Sequence, residues 1–180
     1  MPAASRRTGR ATVAIDVRAS VTARCPLSAG AVERLARAVL RSEGVRWAAL
    51  SVTVVGLKRI RTLNRIHLGH DRPTDVIAFT LRPDTQPRRG RALAARPRAG
   101  TGRGLATRRL ATAPVIGDIY VCAPVAAAQG RRFGSTPREE LRRLIVHGVL
   151  HVLGYDHPGG ARRLASPMWR RQERWLVEHP

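Results

Sequence analysis

Aromatic residues make up only 4% of this 180-residue chain, it has two cysteines, and Lys58 is its only lysine. Each scarcity excludes something. With so few rings, Leu, Val, Ile and Ala must fill the interior, and 43% apolar residues suffice for one core in one domain. Cys25 and Cys122 lie far apart with no CxxC, which excludes a disulfide framework and suits a reducing compartment. No stretch approaches the roughly 18 apolar residues of a membrane span. The early "SRR" is followed only by "ATVAI", short of the about 7–15 apolar residues of an export signal. A cytoplasmic protein that does not engage membranes is therefore expected. Acidic residues are scarce too, 12 against 33 basic, for a net charge of +21. A biased composition accounts for Arg over Lys but not for the missing acids. The excess points to a polyanionic partner, with nucleic acid the expected one.

Hydrophobic periodicity gives the order of elements. Val13, Ile15 and Val17 alternate with polar residues as in a half-buried strand. Ser28 is placed to cap a helix with the stripe Val32, Leu35, Ala36, Val39 and Leu40. "LSVTVV" (50–55) reads as a strand, and a short basic helix is expected from about Lys58 to Ile66. "VIAFTL" (76–81) and "VIGDIYVC" (115–122) read as strands, and a short helix follows through "VAAAQGRRF". Thr136, Pro137 and Glu139 mark a helix start with a capping box. Leu141, Leu144, Ile145, Gly148 and Val152 form its stripe, and Gly154 ends it with a left-handed turn. Ser166–Pro167 opens a last helix with Met168, Gln172, Trp175 and Leu176 on one face. Between the strands, residues 82–114 hold nine Arg, four Pro and four Gly without periodicity. They read as a disordered basic insertion in a single domain spanning 1–180.

Half of the six histidines fall in "HGVLHVLGYDH" (147–157). His147 and His151 are one helical turn apart on the same side, and Gly154 lets the chain reverse and return His157 to them. One histidine on an apolar helix is usually a core residue; three at the spacing H-x3-H-x2-G-x2-H are expected to be metal ligands. Three imidazoles with an open position describe a catalytic site rather than a closed structural one. Zinc is favoured, though nickel, copper and iron(II) also accept imidazole. Metzincin proteases share the spacing, but they place a Glu after the first His as general base, where this chain has Gly148. Glu140 lies too far back along the helix to substitute.

These residues resemble the YbeY family of bacterial rRNA maturation factors, whose motif is H-G-x-L-H-L-x-G-Y-D-H. "LN" (63–64) with "DRPTDVIAF" (71–79), and "GDIYVC" (117–122), extend the resemblance. It implies an α+β fold with a small mixed four-stranded sheet and about five helices. It implies a metal-dependent, single-strand-specific endoribonuclease acting in small-subunit rRNA maturation and ribosome quality control. The ligands carry over to His147, His151 and His157, and RNA or the ribosome becomes the expected partner. One departure matters: an arginine associated with activity commonly sits where this chain has Leu68. Arg61, Arg65 and Leu68 share a face if the helix continues, so Arg65, then Arg72, are the expected catalytic surrogates. Arg61, Arg65 and Arg72 are the expected RNA contacts. The missing arginine leaves a rival reading, a non-enzymatic RNA-binding assembly factor with a structural metal. A metallopeptidase is the weaker rival.

Asp156 could accept a hydrogen bond from a ligand histidine or merely cap its turn. Asp75 and Asp118 could position water or RNA, although solvated or turn-capping carboxylates are commoner. Cys122 reads as a core residue, and His67 and His70 as surface histidines.

Overall fold

The computed structural model describes residues 14–81 and 114–180. Four strands, β1 (Ala14–Val21), β2 (Trp47–Val55), β3 (Val76–Thr80) and β4 (Val115–Cys122), form one sheet in the order β1-β2-β4-β3. β1–β2 and β2–β4 are parallel and β3–β4 antiparallel, so the sheet is mixed. Five α-helices accompany it: α1 (Ala29–Ser42), α2 (Leu57–Leu68), α3 (Ala123–Phe133), α4 (Pro137–Val152) and α5 (Pro167–Glu178). A 3-10 turn (Gly160–Ala165) precedes the last. The expected α+β architecture and element order hold. Of the expected insertion at 82–114, all but Pro114 lies outside the described residues. The strands on either side of it pair directly, Thr80 opposite Gly117.

Local chemistry explains the boundaries. Ser28 accepts from the Ala31 N–H, and Thr136 and Glu139 make the reciprocal capping box. The basic helix runs one turn's fraction further at each end than periodicity suggested. At its C-terminus Gly69, at φ 75°, supplies the left-handed cap. The strand read as 50–55 begins at Trp47, because parallel pairing to β1 recruits a segment with no alternation of its own.

The main core lies on one sheet face. Leu50, Val52 and Val54 of β2 and Ile119 and Val121 of β4 meet Val32, Ala36 and Val39 of α1 and Leu141, Ile145 and Val149 of α4. On the other face Ile60 and Leu63 of α2 cover Val55, Ile77 and Cys122, so Cys122 is the core residue expected. α2 and α4 thus sandwich the β3–β4 half of the sheet.

Two glycines let α4 approach closely. A Cβ on Gly148 would lie 2.7 Å from Ile119 Cγ2, and one on Gly117 would lie 2.6 Å from both the Phe79 carbonyl oxygen and Val152 Cγ1. Gly148→Ala is expected to cost about 1–3 kcal/mol, the usual penalty for overpacking. Gly117→Ala is expected to cost more, since a backbone oxygen cannot rotate away. Urea midpoints of the two variants check both the size and the order.

Candidate metal centre

The C-terminal half of α4 carries His147 and His151 on one side. Gly154, at φ 89°, then turns the chain, tied by Gly154 N–H to His151 O (2.9 Å) and Tyr155 N–H to Leu150 O (3.0 Å). His157 comes back onto the pair. The three ring centroids are 4.6, 5.0 and 5.1 Å apart. Their Nε2 atoms converge: His151 lies 3.0 Å and His157 3.2 Å from His147. These three form the group of side chains able to hold a metal ion found among the described residues.

The opposite ring nitrogens decide what these contacts are. His147 Nδ1 faces Gln172 Oε1 (2.8 Å), His151 Nδ1 faces Tyr155 O (3.1 Å), and His157 Nδ1 faces Pro158 O (3.0 Å). Oxygens of amides only accept, so each Nδ1 carries the proton and donates. In the neutral ring each Nε2 is then a bare lone pair. Three lone pairs pointed at one another at about hydrogen-bond distance repel unless a cation sits among them. A tetrahedral ion with bonds of about 2.0–2.1 Å to imidazole spaces its nitrogens about 3.3 Å apart, close to the separations observed. The donor set fits a metal ion.

The electrostatics agree. Burial lowers the His147 pKa to about 4, and the neighbouring His151 adds to the effect. Burial, then the charge of His157, lowers His151 as well. Neutral imidazole is the form that binds a metal.

Asp75 stands where the α2–β3 loop meets α4, close enough for its charge to favour protonated His147. Burial opposes ionisation of Asp75, but hydrogen bonds from Gln129 Nε2 (3.1 Å), the Val76 N–H (2.9 Å) and Thr74 Oγ1 (3.1 Å) outweigh it, and its pKa is lowered. It is a pinned carboxylate, not a solvated one. Buried Asn64 fixes the same loop by donating to Arg72 O (2.7 Å). Asp118 alternates with the buried Gly117 and Ile119 and so lies on the sheet face away from α4. Asp156 accepts from the His157 backbone N–H (2.8 Å), capping the turn. The acceptor behind a ligand ring is instead Gln172, read from sequence as part of an apolar helix face. A polar residue in such a stripe was the available signal.

The arginines do not join the histidines. Arg61 and Arg65 share one side of α2 and line a groove with Leu57, Lys58, Thr62, Asp71 and Pro73. Arg61 is held there by Asp71 through two hydrogen bonds of 2.9 and 2.7 Å. Arg72 is exposed in the loop, as is His70, and exposed His67 packs edge-on against Phe79. Leu68 is 52% exposed at the end of α2. No described helix is long and apolar enough to cross a membrane.

Comparison with known proteins gives a consistent result. Residues 22–179 match the family model described as "Endoribonuclease YbeY". The chain is 37% identical to a Bacillus velezensis protein named endoribonuclease YbeY over 149 residues, 82% of this chain and 83% of that one. It is 36% identical to the Geobacillus kaustophilus protein of the same name over 143 residues, 79% and 80% of the two chains. The like-named Salinispora tropica protein is 38% identical over 131 residues, 71% and 73%. A Thermotoga maritima protein solved in solution superposes with a TM-score of 0.51 over 90% of this chain and 87% of its own, at 22% identity, a likeness of fold.

Proposed function

The chain belongs to the YbeY family of endoribonucleases, and on that premise we propose that it is a metal-dependent endoribonuclease that cuts single-stranded RNA during rRNA maturation and ribosome quality control. The observation that carries the reading is the convergence of three Nε2 lone pairs whose Nδ1 positions are all committed to oxygen acceptors. His147, His151 and His157 would hold the ion, and zinc suits three imidazoles with an open position. Bound there, it supplies Lewis acidity to a phosphoryl oxygen, to water, or to both.

The chain's own residues supply the rest. A net charge of +21 draws a polyanion. The groove on α2 offers Lys58, Arg61 and Arg65 to the phosphates, and the 82–114 segment adds nine more arginines. The partner is accordingly small-subunit rRNA or the ribosome, met in the cytoplasm. Gly148 leaves no carboxylate at the position a metzincin needs, and Ile119 leaves no room for one. The test is cleavage of single-stranded RNA by wild type and His151→Ala, with metal measured on both. A casein digest should show no proteolysis. Wild type that binds metal and RNA yet never cleaves would leave the assembly-factor reading, which the missing arginine at Leu68 favours.

Arg65, in the α2 groove, is the candidate to hold RNA phosphates in place of the arginine missing at Leu68. Arg61 is ion-paired to Asp71 at 2.7 Å, whereas Arg65 acts on Asp71 only through its charge, with no ion pair among the described residues. A guanidinium there can hold two phosphate oxygens. Arg65→Ala is expected to slow RNA cleavage by about tenfold, the low end for losing a charge-stabilising donor. Metal content and circular dichroism should not change. If Arg65→Ala and Arg72→Ala both cleave like wild type, neither is the surrogate.

A further inference from the structure

Gln172 is 0% exposed, a fully buried amide in α5 between Met168 and Trp175, which both join the main core. Its Nε2 donates to Glu173 Oε1 at 2.8 Å, and the same oxygen accepts from Arg143 Nε at 3.1 Å. The carboxylate settles which way the amide points: nitrogen towards Glu173, oxygen towards His147 Nδ1. The three ligands differ in this respect. His151 and His157 donate to backbone carbonyls of their own loop, which no substitution removes. His147 alone of the three leans on a side chain, and that side chain comes from a helix 25 residues away.

Resting on the reading of the three histidines as a metal site, we propose that Gln172 is a positioning residue that fixes the tautomer of His147, so that metal affinity depends on how α5 docks. The consequence of losing it follows from the geometry. Without an acceptor at Nδ1, His147 moves its proton to Nε2, where it donates to His151 Nε2, only 3.0 Å away. That internal hydrogen bond occupies the lone pairs the metal needs. The histidine cluster becomes satisfied without an ion. α5 also reaches the second ligand: Arg171 Nε donates to Glu43 Oε1 (2.6 Å), and Tyr155, whose carbonyl accepts from His151, donates its hydroxyl to Glu43 Oε2 (2.9 Å).

The test uses the full chain as wild type, Gln172→Leu, Gln172→Glu and His147→Ala. Zinc affinity is measured by chelator competition, and the His147 tautomer by nitrogen-15 NMR on metal-free protein. Gln172→Leu should bind zinc about 10–100-fold more weakly, the usual effect of removing the acceptor behind a ligand histidine. Its His147 should carry the proton on Nε2, while wild type carries it on Nδ1. Gln172→Glu keeps an oxygen in place and should stay within about threefold of wild type. Zinc binding by Gln172→Leu at wild-type strength overturns the proposal, as does an equal loss in Gln172→Glu. Should Gln172→Leu fail to fold, an Nε2–H tautomer in wild type overturns it alone. If His147→Ala binds zinc as wild type does, the metal site itself is misassigned and the proposal falls with it.

Discussion

His151→Ala should purify folded, without its metal, and should cleave single-stranded RNA more than about 100-fold more slowly than wild type. The figure is a lower bound, because loss of a hydrogen-bond acceptor behind a ligand already costs about 10–100-fold and here a ligand itself is removed. The fold should survive for a local reason. His151 is half-buried, its Nε2 faces only other ring nitrogens, and its Nδ1 bond is to the carbonyl of its own turn. In the absence of metal its removal relieves repulsion among lone pairs. The core residues of α4, among them Leu141, Ile145 and Val149, are untouched. Metal content after chelator challenge, far-UV circular dichroism and cleavage of a labelled RNA together check this. Full metal content in His151→Ala, or cleavage that survives its loss, would remove the central claim.

Metal-free protein should lose stability as pH falls from about 6.5 to about 4. The sign follows from the His147 pKa, which burial lowers to about 4 in the folded chain against an ordinary value of about 6.5. Between those values the unfolded chain takes up a proton that the folded chain refuses, so acid favours unfolding. Above about 6.5 the group contributes no slope, and below about 4 both states are protonated and the slope ends. The loss across that window is on the order of 3 kcal/mol from His147, and lowered His151 adds in the same direction. Asp75 acts in a lower window, since its folded pKa lies below the ordinary carboxylate value. Bound zinc should restore stability at pH 5–6, by about 2.7 kcal/mol when free metal is about 100 times its Kd, because it holds the rings neutral. Urea midpoints from pH 7.5 to 4, with and without zinc, measure this. His147→Asn should flatten the metal-free profile; an unchanged slope would assign the acid sensitivity to other groups.

Much of the architecture was legible because it rests on local chemistry. The caps at Ser28 and Thr136, the stripe along α4 and the left-handed turn at Gly154 depend on neighbours a few residues away, and periodicity reports such neighbours. Strand ends were less legible: Trp47 is in β2 only because β1 lies beside it. At the candidate site, the clustering of the three histidines was readable since all sit within one turn-and-return of chain. Gln172 was not. Its polarity in an apolar stripe was visible, but its partner is 25 residues distant and only packing of α5 on α4 reveals it. Asp75 was named with an ordinary carboxylate's role, and its pinning by Gln129 depends on α3 folding back over the loop.

The sequence by itself determined the three-histidine cluster able to hold a metal, the family, the strand and helix order and the basic character of the chain. Each is written in short-range spacing or in composition, which no rearrangement of distant elements can change. Tertiary structure alone decided the protonation pattern of the histidines, because their proton acceptors come from backbone bends and from a separate helix. It also decided why residue 148 is glycine, through the 2.7 Å that separates its missing Cβ from Ile119. And it set α2, which carries the arginines, over one sheet face and α4, which carries the histidines, over the other, a division that helical spacing cannot express. Those are long-range contacts, formed only when a sheet brings remote segments within bonding distance.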